Sequence, residues 1–156
     1  MVHITSIDDN FYSVDMMIAF LQLNKVPIIN MDANKLYAEL DYNVWDYYNR
    51  GSINAISPMM VIKYPKKYKH HYKRILDANL KYPIILSEQK GGRIILDGYH
   101  RLTKAYIHKL KKIKTHVLSK KVLKKFKLDY VNWEEVTNNS PEIYDLIVKY
   151  HKRFCD

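Results

Sequence analysis

The sequence predicts an α+β fold, a small mixed sheet with helices packed on it. Short β-branched runs of strand length carry the first part of that prediction: VPIINM (26–31), YPIIL (82–86), RIIL (93–96) and IKTHVL (113–118). Between them, apolar residues recur at helical spacing. Composition agrees, since 47% of the 156 residues are hydrophobic and 27% charged, ordinary globular values with enough apolar surface for a core. With 4 Gly and 5 Pro the chain is neither collagen-like nor of low complexity, and its one cysteine, Cys155, excludes an internal disulfide or a cysteine zinc site.

Taken in order, Ser13 to Leu23 forms a short amphipathic helix, with Ser13 as cap and Met17, Ile18 and Leu21 on one side. VPIINM follows as a buried strand, and Asp32 caps a helix carrying Leu36 and Leu40. Residues 42–57 are an aromatic-rich loop with short strand pieces, read as a hydrophobic plug over the core edge in preference to a base-stacking platform. Pro65 opens a helix to about Asp77 with Tyr68, Tyr72, Ile75 and Leu76 at its apolar positions. YPIIL and RIIL then make a hairpin whose reversal uses Gly91 and Gly92, residues that tolerate positive φ. After DGYHR (97–101) a helix presents Leu102, Ala105, Tyr106 and Leu110 on one face; IKTHVL is a strand, and 120–127 a lysine-rich helix. From Asn139 a last helix has Ser140 as cap, Pro141 in its first turn, and Ile143, Leu146, Ile147 and Tyr150 as its stripe. Residues 1–25 thus read as an N-terminal helical extension, 26–127 as the main domain and 128–156 as a C-terminal helical extension.

Charge is the compositional outlier: 26 Lys and Arg against 16 Asp and Glu, a net of +10. Such an excess favours polyanionic partners, nucleic acid or phosphorylated small molecules, although abundant Lys, Tyr, Ile and Asn is also what AT-rich coding produces. The lysines from Lys109 to Lys127 form a basic face read as solvated. A non-specific nucleic-acid footprint is the alternative, but interleaved aromatics and arginines are lacking. Among His70, His71, His100, His108 and His116 no i, i+4 pair is backed by an acidic ligand, so zinc is not predicted. No apolar run approaches the roughly 18 residues of a membrane span. MVHITSIDDNFY does not suit a targeting signal, so a soluble intracellular protein without a membrane partner is expected.

The stretch richest in chemistry is strand, Asp97-Gly98-Tyr99-His100-Arg101, helix. A helix start offers unpaired N–H groups and a partial positive charge, a ready anion site. Gly98 lets a phosphate approach the main chain, while His100 and Arg101 add donors, Arg101 with a two-pronged grip. Asp97 can accept a hydrogen bond, hold a ribose or substrate hydroxyl, or help position Mg²⁺. Lys104, one turn beyond Arg101, reaches the same anion by helical spacing. The same letters also make an ordinary Asp-Gly turn, a helix cap and a solvated His-Arg pair, and residue chemistry alone leaves both readings open.

This stretch resembles the signature of the ParB/sulfiredoxin superfamily, whose members carry G-x-H-R or G-x-R-R between a strand and a helix. The similarity extends to the small stand-alone ParB-like proteins, through His71, Arg74-Ile75, Asn79-Leu80, Tyr82-Pro83-Ile84-Ile85-Leu86, Gly92, Asp97-Gly98-Tyr99-His100-Arg101 and Lys104-Ala105. VPIINM and Trp45 fit the pattern in order, so the likeness covers about 26–118. Asn79 stands where the family has aspartate and Tyr99 where it has methionine.

The resemblance implies a ParB/sulfiredoxin-like fold whose loop–helix element, with Gly98, Tyr99, His100, Arg101 and Lys104, binds the phosphates of a nucleoside di- or triphosphate with Mg²⁺. His71 and Arg74 would line the nucleotide pocket. Sulfiredoxin activity is excluded because Tyr99 replaces the required cysteine, and a phenol cannot do thiol chemistry. The short stretch after Leu118 does not hold both the DNA-reading and the dimerisation domains of a partition ParB. In a third branch, which phosphorylates free serine, a carboxylate activates the substrate hydroxyl; of Asp32, Glu39 and Asp41 near the first strand, Glu39 is the choice, beside Asp97 and His100 as candidate catalytic groups. The expectation is a nucleotide-dependent phosphotransferase or nucleotidase acting on a small molecule. The alternative is a non-catalytic nucleic-acid-binding module, and a nuclease is disfavoured for want of a carboxylate cluster.

Overall fold

A computed structural model describes residues 3–45 and 55–128. In chain order it contains β1 (Ile4–Ile7), β2 (Asn10–Ser13), α1 (Val14–Leu23), β3 (Ile29–Asp32), two 3₁₀ turns (Ala33–Lys35 and Tyr37–Asp41), α2 (Pro58–Lys63) and α3 (Lys69–Asp77). Then come β4 (Ile84–Gln89), β5 (Gly92–Asp97), α4 (Tyr99–Ile107), β6 (Lys112–Leu118), α5 (Lys120–Leu123), a 3₁₀ turn (Lys124–Phe126) and β7 (Lys127–Leu128). The expected α+β class is what the chain adopts. The strands form two sheets, ordered β1-β2-β7 and β3-β6-β4-β5. By contacts the chain falls into two units, one within Met1–Pro27, Leu86–Asp97 and Val117–Asp156, the other within Ile28–Ile85 and Gly98–His116. These boundaries differ from the expected division at 25/26 and 127/128. The expected helix from Asn139 lies outside the described residues.

In the first unit the N-terminal segment is not simply helical. β1 and β2 pair antiparallel from Ile4↔Ser13 to Ile7↔Asn10 around a two-residue reversal. Asp8 and Asp9, at φ 47° and 60°, supply the turn, and aspartate tolerates the left-handed region. α1 then starts as expected: the Ser13 hydroxyl accepts from the Met16 N–H at 3.2 Å, and Val14, Met16, Met17 and Leu21 are buried. β7 pairs with β2 as Phe11↔Leu128 and Tyr12↔Lys127. The expected 120–127 helix is shorter: α5, capped by Ser119, passes through the 3₁₀ turn into β7. The reason is that burying Leu123 and Phe126, the latter edge-on to Phe20 at 5.4 Å, outweighs continuing a helix of lysines.

In the second unit β3 pairs antiparallel with β6, Ile29↔Thr115 to Asp32↔Lys112. VPIINM is not the buried strand its apolar letters suggest, since Ile28 and Ile29 are 54% and 45% exposed and only Met31 is buried. β3 is the last strand in its sheet, and an edge strand has fewer neighbours to cover it. Asp32 caps as expected, accepting from the Asn34 N–H at 3.1 Å, but it opens 3₁₀ turns that still bury Leu36 and Leu40. Pro65 lies in a turn, where Tyr64 O accepts from Lys67 N–H, and α3 begins four residues later than Pro65 would set it. α2 was not expected, although Ser57 followed by Pro58 is the same cap-and-proline signal used for the C-terminal helix; the Ser57 hydroxyl accepts from Met60 N–H at 3.2 Å.

A core cluster of Trp45, Ile56, Val61, Tyr68 and Ile75 lies beneath these helices, with Tyr99 packed against it. Trp45 bridges Ile56, so the two described ends of the aromatic loop meet as a short ladder; of the loop's aromatics Trp45 is buried in the core, Tyr42 is exposed, and Tyr47 and Tyr48 lie outside the described residues.

Candidate functional site

α3 and α4 pack side by side. His71 in the first turn of α3 meets His100 in the first turn of α4, while Lys104, further along α4, meets the end of α3. The two helices therefore run in the same direction, and their positive ends adjoin. Neither start carries a side-chain cap: Tyr68 and Gly98 occupy the cap positions without such a bond. By helix geometry the N–H groups of residues 99–101 have no intrahelical acceptor, the first intrahelical bond being Leu102 N–H to Gly98 O at 2.9 Å.

Gly98 is required here twice over. Its φ of 116° lies in the left-handed region. In addition, a Cβ at this position would stand 2.7 Å from Ile84 Cβ, closer still to Ile84 Cγ2, and 3.1 Å from Arg101 Nη2. The helix start thus sits directly on β4, and the Arg101 guanidinium folds back over it. That brings a delocalised cation to the same end of α4 as the N–H groups.

His100 is held by aromatic packing. Its ring stacks on Trp45 at 4.3 Å and 15°, and that of His71 stacks on the same indole at 4.8 Å and 8°. With the imidazole centroids 5.7 Å apart, these distances put the two rings side by side on one face of the indole. His71 Nδ1 and His100 Nε2 face each other at 3.5 Å, the outer limit of a hydrogen bond, in which one ring donates and the other accepts. His71 is buried and His100 half-buried, so the pair sits between core and surface.

The acid side of the site is Glu39, on the 3₁₀ turn packed against α4. Burial pushes its carboxyl above the usual range. The neighbouring Tyr99 phenol is driven well above its usual range, first by burial and then by the Glu39 carboxylate and the Tyr42 phenol. Tyr99 serves mainly to fix the helix: its ring joins the core cluster, and its carbonyl accepts from the Thr103 hydroxyl at 2.6 Å.

No family model, no curated protein and no solved structure matches this chain.

Of the residues singled out from sequence, Gly98, Tyr99, His100, Arg101, His71 and Glu39 all belong to the second unit, around the start of α4. Lys104 does not serve the anion in this arrangement: its ammonium donates to Leu76 O at 2.6 Å and Ala78 O at 2.8 Å, satisfying the carbonyls at the negative end of α3. Arg74 is exposed on α3, one turn beyond His71. Asp97 lies at the end of β5 in the first unit, 15% exposed, with His3 Nε2 3.9 Å from its Oδ1. Among the described residues no three His, Cys, Asp or Glu side chains converge as a metal site. That Trp45 seats two imidazoles has no local signal in the sequence, because the three rings come from separate elements.

Proposed function

We propose that the chain is a phosphate-binding protein of ParB/sulfiredoxin-like type, in which the start of α4 cradles the phosphates of a nucleoside di- or triphosphate. The observation that carries this reading is the uncapped, glycine-started helix with the Arg101 guanidinium folded over its first turn. A phosphate there meets N–H groups, a helix dipole and a two-pronged cation together. The adjoining start of α3 adds a second positive end, and Trp45 with His71 keeps the His100 ring in a set orientation.

The reaction this arrangement serves best is phosphoryl transfer to, or hydrolysis with, a small molecule. In such chemistry positioning and charge neutralisation do most of the work. Glu39, with its raised proton affinity, is the group to accept a proton from an attacking hydroxyl. Mg²⁺ brought with the nucleotide would neutralise phosphate charge.

Thermal-shift measurements with ATP, ADP, CTP and GTP, each with Mg²⁺, test the reading. One nucleotide at about a hundredfold over its Kd should raise the melting temperature by about 5 °C or more. Arg101→Ala should remove that shift while keeping the ligand-free melting temperature close to that of the parent chain. A full shift in the variant rules out the helix-start site. The second reading, a nucleic-acid-binding module, rests on the exposed lysines between Lys109 and Lys127. It requires oligonucleotide affinity that falls steeply with salt, whereas a nucleotide held in a pocket is far less salt-sensitive.

A further inference from the structure

The first unit contains a cleft of its own, about 350 Å³ in volume. One wall is a face of the β1-β2-β7 sheet. The registers Ile7↔Asn10 and Tyr12↔Lys127, with the two-residue alternation of a strand, put Ile7, Asn10, Tyr12 and Lys127 on that face, and all four line the cleft. The other wall is α5 and the turn after it, which contribute Lys120, Leu123 and Lys124. Tyr12 and Leu123 are buried, giving an apolar floor.

Three lysines thus line one concavity, and Asp8 is the single carboxylate among its lining residues. Among the described residues none of the three lysines forms an ion pair. Lys120 and Lys124 also stand four residues apart, a spacing at which like charges repel. Lys125, by contrast, turns away to lie over the Phe20 ring at 5.8 Å. The lysines of the basic run are exposed, as expected, and three of them also line this concavity.

We propose that this cleft binds a small polyphosphorylated molecule, with Lys120, Lys124 and Lys127 holding its phosphates and Ile7, Tyr12 and Leu123 packing against its apolar part. The volume falls within the usual range for small-ligand sites, whereas nucleic acid needs an extended surface. Three cations match the charge of a di- or triphosphate group. The cleft stands independently of the helix-start site, because Arg101 belongs to the other unit.

Amide NMR of the full chain titrated with tripolyphosphate tests this. Saturable shifts are expected at Tyr12 and across 120–127. The K120Q/K124Q/K127Q variant should weaken that binding about tenfold or more, and K109Q/K111Q/K114Q, which removes as much charge elsewhere, should change it less than twofold. Shifts at 99–101 report separately on the helix-start site, so the failure of one proposal is distinguishable from the failure of the other. The cleft proposal is overturned if 120–127 shows no saturable shift, or if both triple variants weaken binding alike. It is also overturned if an oligonucleotide moves the same amides at lower concentration than tripolyphosphate. Unchanged melting of both variants confirms that they fold.

Discussion

Among the described residues two reversals are made by glycine at positive φ, and they are held by different physics. Between β4 and β5, Gly91 (95°) and Gly92 (146°) have nothing within 4 Å of where a Cβ would stand. At the start of α4, Gly98 (116°) has Ile84 and Arg101 in that space. Backbone conformation alone asks for glycine at the hairpin. At the helix start, contact with a buried side chain of β4 asks for it again, so a local turn and a tertiary contact constrain the same residue. The contact with Ile84 leaves the chain little freedom at the turn that leads into α4.

Substitution separates the two cases. Gly98→Ala should cost about 3 kcal/mol, combining left-handed strain with overpacking against Ile84, and should abolish nucleotide binding as well. Gly91→Ala should cost only about 1 kcal/mol, the strain alone, in the same denaturant-unfolding experiment. Equal losses would break the comparison. A smaller effect sharpens it: Lys104→Met should lower stability by about 0.5–1 kcal/mol, through the lost charge at the end of α3, and leave nucleotide affinity unchanged. A fall in affinity would return Lys104 to the phosphate site.

The smallest effect concerns Glu39. Its carboxyl is raised by burial, so the folded chain holds this proton more tightly than the unfolded chain. Stability from this group therefore falls as pH rises from the ordinary glutamate value through the raised one, and at neutral pH the charge is a penalty. Glu39→Gln should raise the melting temperature at pH 7 by no more than about 2 °C, solvent screening most of the penalty. The gain should fade as pH drops through the raised value and be gone below about 4, where both states are protonated. Turnover, if Glu39 is the base, should fall in the same variant while nucleotide binding persists.

Much of the local structure was legible. Ser13 before an amphipathic stripe and Gly91-Gly92 between two apolar runs announced their elements, because caps and turns depend on neighbours in sequence. The Asp8-Asp9 hairpin and the Ser57-Pro58 helix carry equally local signals, an aspartate pair in the left-handed region and a serine cap before proline. Others were not there to read: VPIINM has the letters of a buried strand, and only its edge position leaves Ile28 and Ile29 exposed. At the site, Gly98, His100 and Arg101 were legible as a motif, but the lysine one turn on was assigned by spacing to an anion when carbonyls of α3 hold it. Among the described residues no helix is long and apolar enough to cross a membrane.

By itself the sequence determined the mixed α and β class, most element positions, and the strand–DGYHR–helix order that places a glycine, a histidine and an arginine at one helix start. These follow from interactions spanning a few residues. Only the tertiary structure decided that Trp45 would seat both His71 and His100, that Ile84 would leave no room at Gly98, and that three lysines of a long basic run would line one cleft with Tyr12. Periodicity says which residues share a face of one element. Which faces then meet depends on burying apolar surface across the whole chain at once.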